Sequence, residues 1–301
     1  MSLETEKMFK QLHKFLEGKV FENQEEANKE IQKFMNSINS GEVFGFDEQF
    51  RKEEESDDLL FMAYEEPNII KAINYAKKSL KVNPDNIDAM NFLVSVEPDE
   101  EKQLEMYKEN IQTAKKILDK NNMFDKENIG QFWGITETRP YMRTRQSYML
   151  KLFHLKRYDE AIKECEELLK LCKNDNLGVR YILIGLYVYT DNFNKAEKLY
   201  KKFKEDSTFM LLPLCIMYYK QGDFNEAEMA RRKVNIKNSI IFELLNESIK
   251  LSKKRKEELE HARGYALGSL EEAYLVLKDL KYLIDSTEGF KEWIKTKTII
   301  I

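Results

Sequence analysis

Three alanines set the architecture open to this chain. Ala161, Ala196 and Ala227 follow one another at intervals of 35 residues (161 to 196) and 31 residues (196 to 227). Each has an aromatic residue three positions earlier: Tyr158, Phe193 and Phe224. The turns KRYDEAI, DNFNKAE and GDFNEAE repeat the same chemistry around them. A small residue at a fixed point of a helix lets a second helix approach closely. A repeat of this length is one helical pair that cannot bury its apolar face alone and stacks on its neighbours. The expected fold is therefore all-α: antiparallel helix pairs stacked into a right-handed solenoid, with capping helices at both ends.

The rest of the chain is read outward from this array. Residues 3–17 and 25–39 have amphipathic helical patterns, the second with Ala27, Ile31, Phe34, Met35 and Ile38 on one stripe and Asn23 placed to cap it. The pattern breaks between Ser40 and Asp58, which we expect to be a linker pinned by Phe44, Phe46 and Phe50. From Leu59 a helical pair begins, with Ala72, Ala76, Leu80 and Pro84 at hairpin spacing. Another follows over 87–120, turned at Glu97-Pro98-Asp99. Residues 121–139 form an irregular insert, after which Pro140 suits the first position of a helix, where its missing N–H costs nothing. Beyond Val234 the repeat decays into a helix over 240–251, a charged run over 250–263, a helix opened by the capping box Ser269-Leu270-Glu271-Glu272 and running through Ile284, and a terminal helix over 287–295. The expected organisation is 1–58 as N-terminal helices and linker, 59–239 as repeats containing the 121–139 insert, and 240–301 as capping helices.

Composition narrows the function. The chain is 42% apolar and 34% charged, with 49 basic against 53 acidic residues interleaved for a net charge of −4. That mixture argues against a nucleic-acid surface, and the basic run Lys250, Lys253–Lys256 is blunted by Glu257, Glu258 and Glu260. No apolar run reaches the roughly 18 residues of a membrane span, and the N-terminus has no signal-peptide core. Three cysteines, an odd number, suit reduced thiols and a cytoplasmic setting. Cys165 and Cys172 lie seven apart on one helix, about 10 Å by helical rise, too far for a disulfide or shared metal. The three histidines are isolated, and no phosphate-cradling glycine loop, GxSxG or zinc module is present. We expect no catalytic residue, cofactor or metal.

The hairpins over 59–235 resemble the tetratricopeptide repeat. FWGITETRPYMRTR (132–145), NDNLGVRY (174–181), NPDNIDAMNFL (83–93) and GSLEEAYLVLKDLKYLIDSTEGFKEWI (268–294) further resemble a group of uncharacterised bacterial tetratricopeptide proteins distantly similar to the suppressor of tumorigenicity 7 family. Lys237-Asn238 stands where relatives tend to carry an Asn-Pro turn, and the first 50 residues match loosely. The resemblance implies an α-helical repeat with no assigned enzyme activity. In such arrays first-helix positions line a concave groove. Here these are Arg143, Gln146, Leu150, Phe153 and His154, then Tyr181, Gly185, Val188 and Tyr189, then Leu212, Ile216, Tyr219 and Lys220. The Lys/Asn pair that clamps chaperone C-termini is absent, since Gln146 and Leu150 hold those places.

Arg139 and Arg143 are one helical turn apart, and with Arg180 they have two readings. They bridge Glu137 and free carbonyls of the insert, or they clamp a peptide carboxylate. The expected function is a non-catalytic scaffold binding a protein or peptide in its groove through Arg139, Arg143, Gln146, Phe153, Arg180, Tyr181, Tyr189 and Tyr219. Its rivals are a peptide-sensing regulator, an enzyme or small-ligand binder with a pocket near Trp133, Glu137 and Arg143, and a closed unit whose groove is filled by its own N-terminal helices. The apolar tail Ile299-Ile300-Ile301 offers a route to docking on the body or to homo-oligomers.

Overall fold

The computed structural model describes residues 3–40 and 45–297. Among these residues every extended element is helical, and no helix is long and apolar enough to cross a membrane. Two compact units are present, one of residues 1–157 with 170–176, the other of 158–169 with 177–301.

The first unit begins with α1 (Leu3–Leu16) and α2 (Gln24–Ser40), then α3 (Glu48–Glu65), α4 (Ile69–Val82), α5 (Ile87–Ser95) and α6 (Glu100–Lys120). The segment read as a linker up to Asp58 is half helix, because α3 starts at Glu48 rather than Leu59. Asp47 caps it by accepting a bond from the Phe50 N–H at 2.9 Å, and Lys52 pairs with Glu48 one turn apart. Its acidic run hid an inward face that carries Ser56 and Leu60. Of the expected pinning aromatics, Phe50 is buried with the Phe46 ring tilted against it at 4.6 Å, while Phe44 lies outside the described residues.

Leu60 and Ala63 of α3 pack on Ala72 and Ala76 of α4, and Ala89 and Phe92 of α5 close the cluster. Inside it sits a polar knot. The Ser56 and Ser79 hydroxyls are 2.7 Å apart, each within 3.0 Å of the other residue's carbonyl, and Asn86 Nδ2 donates to Ser56 Oγ at 2.9 Å.

The insert descends through turns and two short 3-10 segments, Phe132–Gly134 and Thr136–Thr138, into α7 (Arg139–His154), with Pro140 in its first turn. Phe132 is fully buried beneath Phe124, whose ring also meets Tyr141 edge-on. Gly130 ties the insert down: its N–H donates to the Leu171 carbonyl at 3.0 Å, and its carbonyl accepts from the Lys173 N–H at 2.9 Å. The φ of +103° that permits both bonds is one that glycine adopts without strain.

The second unit contains most of α8 (Tyr158–Leu171), then α9 (Val179–Tyr189), α10 (Phe193–Phe203), α11 (Thr208–Lys220) and α12 (Phe224–Lys237). Ala161, Ala196 and Ala227 are each 0% exposed, which is the close approach their spacing required. The chain ends in α13 (Ile240–Leu245), α14 (Lys253–Glu260), α15 (Leu270–Asp279), α16 (Lys281–Ser286) and α17 (Phe290–Lys297). Ser269 caps α15 by accepting from the Glu272 N–H, while Glu272 itself accepts from the Gly268 N–H, the Thr208 hydroxyl and the Asn238 amide.

The single helix expected through Ile284 is two helices. At Leu280 the backbone leaves helical ψ (φ −96°, ψ 6°), which turns Leu280 and Tyr282 onto α9. Gly185 makes room there, since a Cβ at that position would lie 2.6 Å from Tyr282 Oη. The Ile299–Ile301 tail lies outside the described residues.

Candidate functional site

In the first unit the arginine pair of α7 surrounds a buried acid. One helical turn places Arg139 and Arg143 on the same side. Arg143 Nε and Nη2 grip Asp88 of α5 in a fork at 3.0 and 2.6 Å. Its Nη1 donates to both oxygens of Glu6 on α1 at 2.9 Å. Arg139 donates through Nε to the Trp133 carbonyl at 2.8 Å and reaches Glu6 at 3.4 Å. Glu6 is 4% exposed and Arg139 7%. Burial alone would lower the Arg143 pKa, but Asp88 and Glu6 outweigh it and raise the pKa above the ordinary guanidinium value. Two cations thus face two carboxylates, the stoichiometry a buried cluster needs.

The insert carbonyl half of the bridging reading is present in the Arg139–Trp133 bond. The acid buried between the arginines is Glu6, which the sequence reading did not single out. Glu137, the acid it named, lies 3.8 Å from His13 with its side chain half exposed.

Next to this cluster α1 lies along α3, running antiparallel to it. Lys7 pairs with Asp58, Lys10 with Asp57, Gln11 with Glu54, and Lys14 with the cap residue Asp47. Burial works against the charge of Lys10, but Asp57 raises its pKa above the ordinary lysine value. A cavity of about 420 Å³ lies against α1, bounded by Glu6, Met8, Lys10, Ile38, Phe61 and Asp88. The signal for this contact was present in the sequence: lysines at 7, 10 and 14 share a helical face, and the acidic run 53–58 is a complementary length.

The remaining predicted positions have partners of their own. On α7, Gln146 and Phe153 are half-buried. In the second unit Arg180 donates to Glu205 at 2.8 Å and to Tyr181 Oη at 2.6 Å, and the Tyr181 hydroxyl donates to Glu205 at 2.7 Å. Burial pushes the Tyr181 hydroxyl up to about 12, with Glu205 adding to it. Burial works to raise the Glu205 carboxyl, but bonds from Tyr181 and Arg180 bring it below the ordinary carboxylate range.

Tyr189 and Tyr219, expected to line the groove, are both half-buried against other aromatic rings. Tyr189 meets Tyr158 edge-on and Tyr282 at a tilt, at 4.8 and 5.4 Å between ring centres. Tyr219 packs on Phe290 and Trp293 of α17 and donates to the Glu288 carbonyl. Gly185, Val188, Leu212 and Ile216 are buried. The apolar character that marked these residues as groove lining is what recruits the C-terminal helices onto them.

Among the described residues no group of three or more His, Cys, Asp or Glu side chains is arranged to hold a metal ion. Compared with protein-family models and with curated proteins, the chain matches none.

Proposed function

We propose that the chain is a non-catalytic, tetratricopeptide-like scaffold of the cytoplasm that binds a protein or peptide partner through its first unit. The observation that carries this reading is the seat of Glu6: the arginines of α7 hold the carboxylate of a helix laid across them. A face that takes the glutamate of one helix has the chemistry for recognising another helix that presents a carboxylate. The repeat assignment rests on the buried alanines at intervals of 35 and 31 residues, and the cytoplasmic setting on three buried cysteines, an odd number.

An apolar edge adjoins the site. Phe61, Met62 and Tyr64 at the end of α3 and Ile69 and Ile70 at the start of α4 are 40–69% exposed. A grouping of large apolar side chains in solvent marks an interaction surface. The test is a photo-reactive phenylalanine analogue placed at Phe61 in the full-length chain and irradiated in its native extract. A discrete protein adduct at Phe61, missing when the probe replaces the covered Tyr219, is the expected result. Equal adducts at both positions, or none at Phe61, would overturn the reading.

A further inference from the structure

We infer that α1 is an internal stand-in for the partner, and that the α3/α5/α7 face of the first unit takes in its place an amphipathic helix bearing a glutamate followed by lysines one, four and eight residues later. This rests on the binding reading above and names the partner's chemistry.

Three observations lead to it. First, α1 does not dock as a core helix does. Of its described side chains Glu6 alone is buried, while Met8, Phe9, Leu12, Phe15 and Leu16 all keep solvent-accessible surface. Its pairs with α3, Lys7 with Asp58 and Lys10 with Asp57, lie at a part-solvated face and hold it weakly there, because each such pair is worth little in water. Second, the cavity of about 420 Å³ lies along α1, so the seat is incompletely filled by its present occupant. Third, the face cannot be left bare without consequence. If α1 lifts away, the buried Arg139 and the half-buried Arg143 keep Asp88 as the one carboxylate of the original two. Water then solvates the uncovered guanidinium groups, and a ligand that brings a second carboxylate restores the pairing that Glu6 makes now.

The same geometry excludes a polyanion. Asp57, Asp58 and Glu54 flank the arginines along α3 and would repel consecutive phosphates, whereas lysines on a helix match them as Lys7 and Lys10 do now. The charge order along α1, Glu6, Lys7, Lys10 and Lys14, is therefore a template for the ligand. Because α1 is tethered by a short connection to α2, it competes at an effective concentration on the order of millimolar. Weakening α1 should accordingly strengthen capture of a free helix.

The experiment uses the full-length chain and a fluorescent peptide of α1's own sequence, LETEKMFKQLHKFL, followed by anisotropy. The Glu6→Gln chain, which keeps Asp88 opposite Arg143, should bind this peptide about tenfold more tightly than wild type, the worth of one charge-assisted bond. The same peptide carrying Glu6→Gln should lose that gain. Equal affinity of both chains, or of both peptides, would overturn the proposal. A second measurement needs no variant. Excess peptide added to the wild-type chain should speed amide exchange throughout α1 and leave α9 unchanged, and α1 protection that persists at saturating peptide would also refute it. Peptide exchange without a photo-adduct at Phe61 would sink the partner reading alone, and an adduct without exchange would sink this inference alone.

Discussion

The two units cover their own helices by opposite means. In the first, α1 lies over α3 and α7 through Glu6 and a row of lysines, with one acidic side chain buried and a cavity beside it. In the second, α16 and α17 bring Tyr282, Phe290 and Trp293 onto the tyrosines of α9 and α11, and Phe290 and Ile294 are 0% and 1% exposed. Apolar burial is non-directional and grows with area, so the aromatic cover is part of the core. Ion pairs trade solvation for attraction nearly evenly, so the charged cover fixes register more than it adds stability. One cover belongs to the fold, and the other is a contact that a competitor of the same charge order could replace.

Removing a ring from the aromatic cover should cost the most. Phe290→Ala leaves a cavity under Tyr219 and Trp293 and should lower the unfolding free energy of the second unit by about 3–5 kcal/mol, read from urea denaturation followed by Trp293 fluorescence. A loss under 1 kcal/mol would put α17 in the same class as α1. Arg143→Met strips the charged cover of its central cation and leaves Glu6 and Asp88 under-compensated, a penalty of about 3 kcal/mol at most. The penalty is bounded because α1 can lift away, so hydrogen exchange should report opening of α1 with α4 still protected. Adding Glu6→Gln and Asp88→Asn to Arg143→Met should restore most of the loss.

The smallest effect concerns Arg180, Tyr181 and Glu205. Because the folded Glu205 carboxyl lies below its ordinary value of 4.5, its contribution is fully present above that pH and is lost as the pH falls through the lowered value. With Glu205 partly in solvent, the contribution is below about 1 kcal/mol. Tyr181→Phe should move the Glu205 midpoint, followed by carboxyl NMR, back toward 4.5. An unchanged midpoint would remove Tyr181 from the cluster.

What the sequence made legible follows from the distance over which each signal acts. The buried alanines of α8, α10 and α12 and the caps at Asn23 and Ser269 are local, expressed within one helical turn or one repeat, and periodicity exposes them. The α3 start at Glu48 was masked because its acidic residues look like a solvated spacer until the inward Ser56 and the Asp47 cap are seen. The acids that hold Arg143 were beyond reach. Glu6 lies 137 residues away and Asp88 lies 55 away, and no repeat phase links them to α7. The tyrosines of α9 and α11 were read as lining for a bound peptide, while the helices that pack on them, much later in the chain, carried no local mark.

The serine knot between α3 and α4 has a mechanical consequence. Ser56 and Ser79 each sit against the other's backbone carbonyl, and Asn86 bonds the pair from the side. Methyl groups alone, as at Ala72 and Ala76, would let two helices glide along their common axis with little change in energy. The hydroxyls act as a key in a slot, since sliding one helix by a single residue breaks all of these bonds in a place that water cannot reach. Under a pulling force along that axis, this hairpin should yield by abrupt rupture rather than gradual creep, which makes it the stiff element against which a moving helix such as α1 can be exchanged.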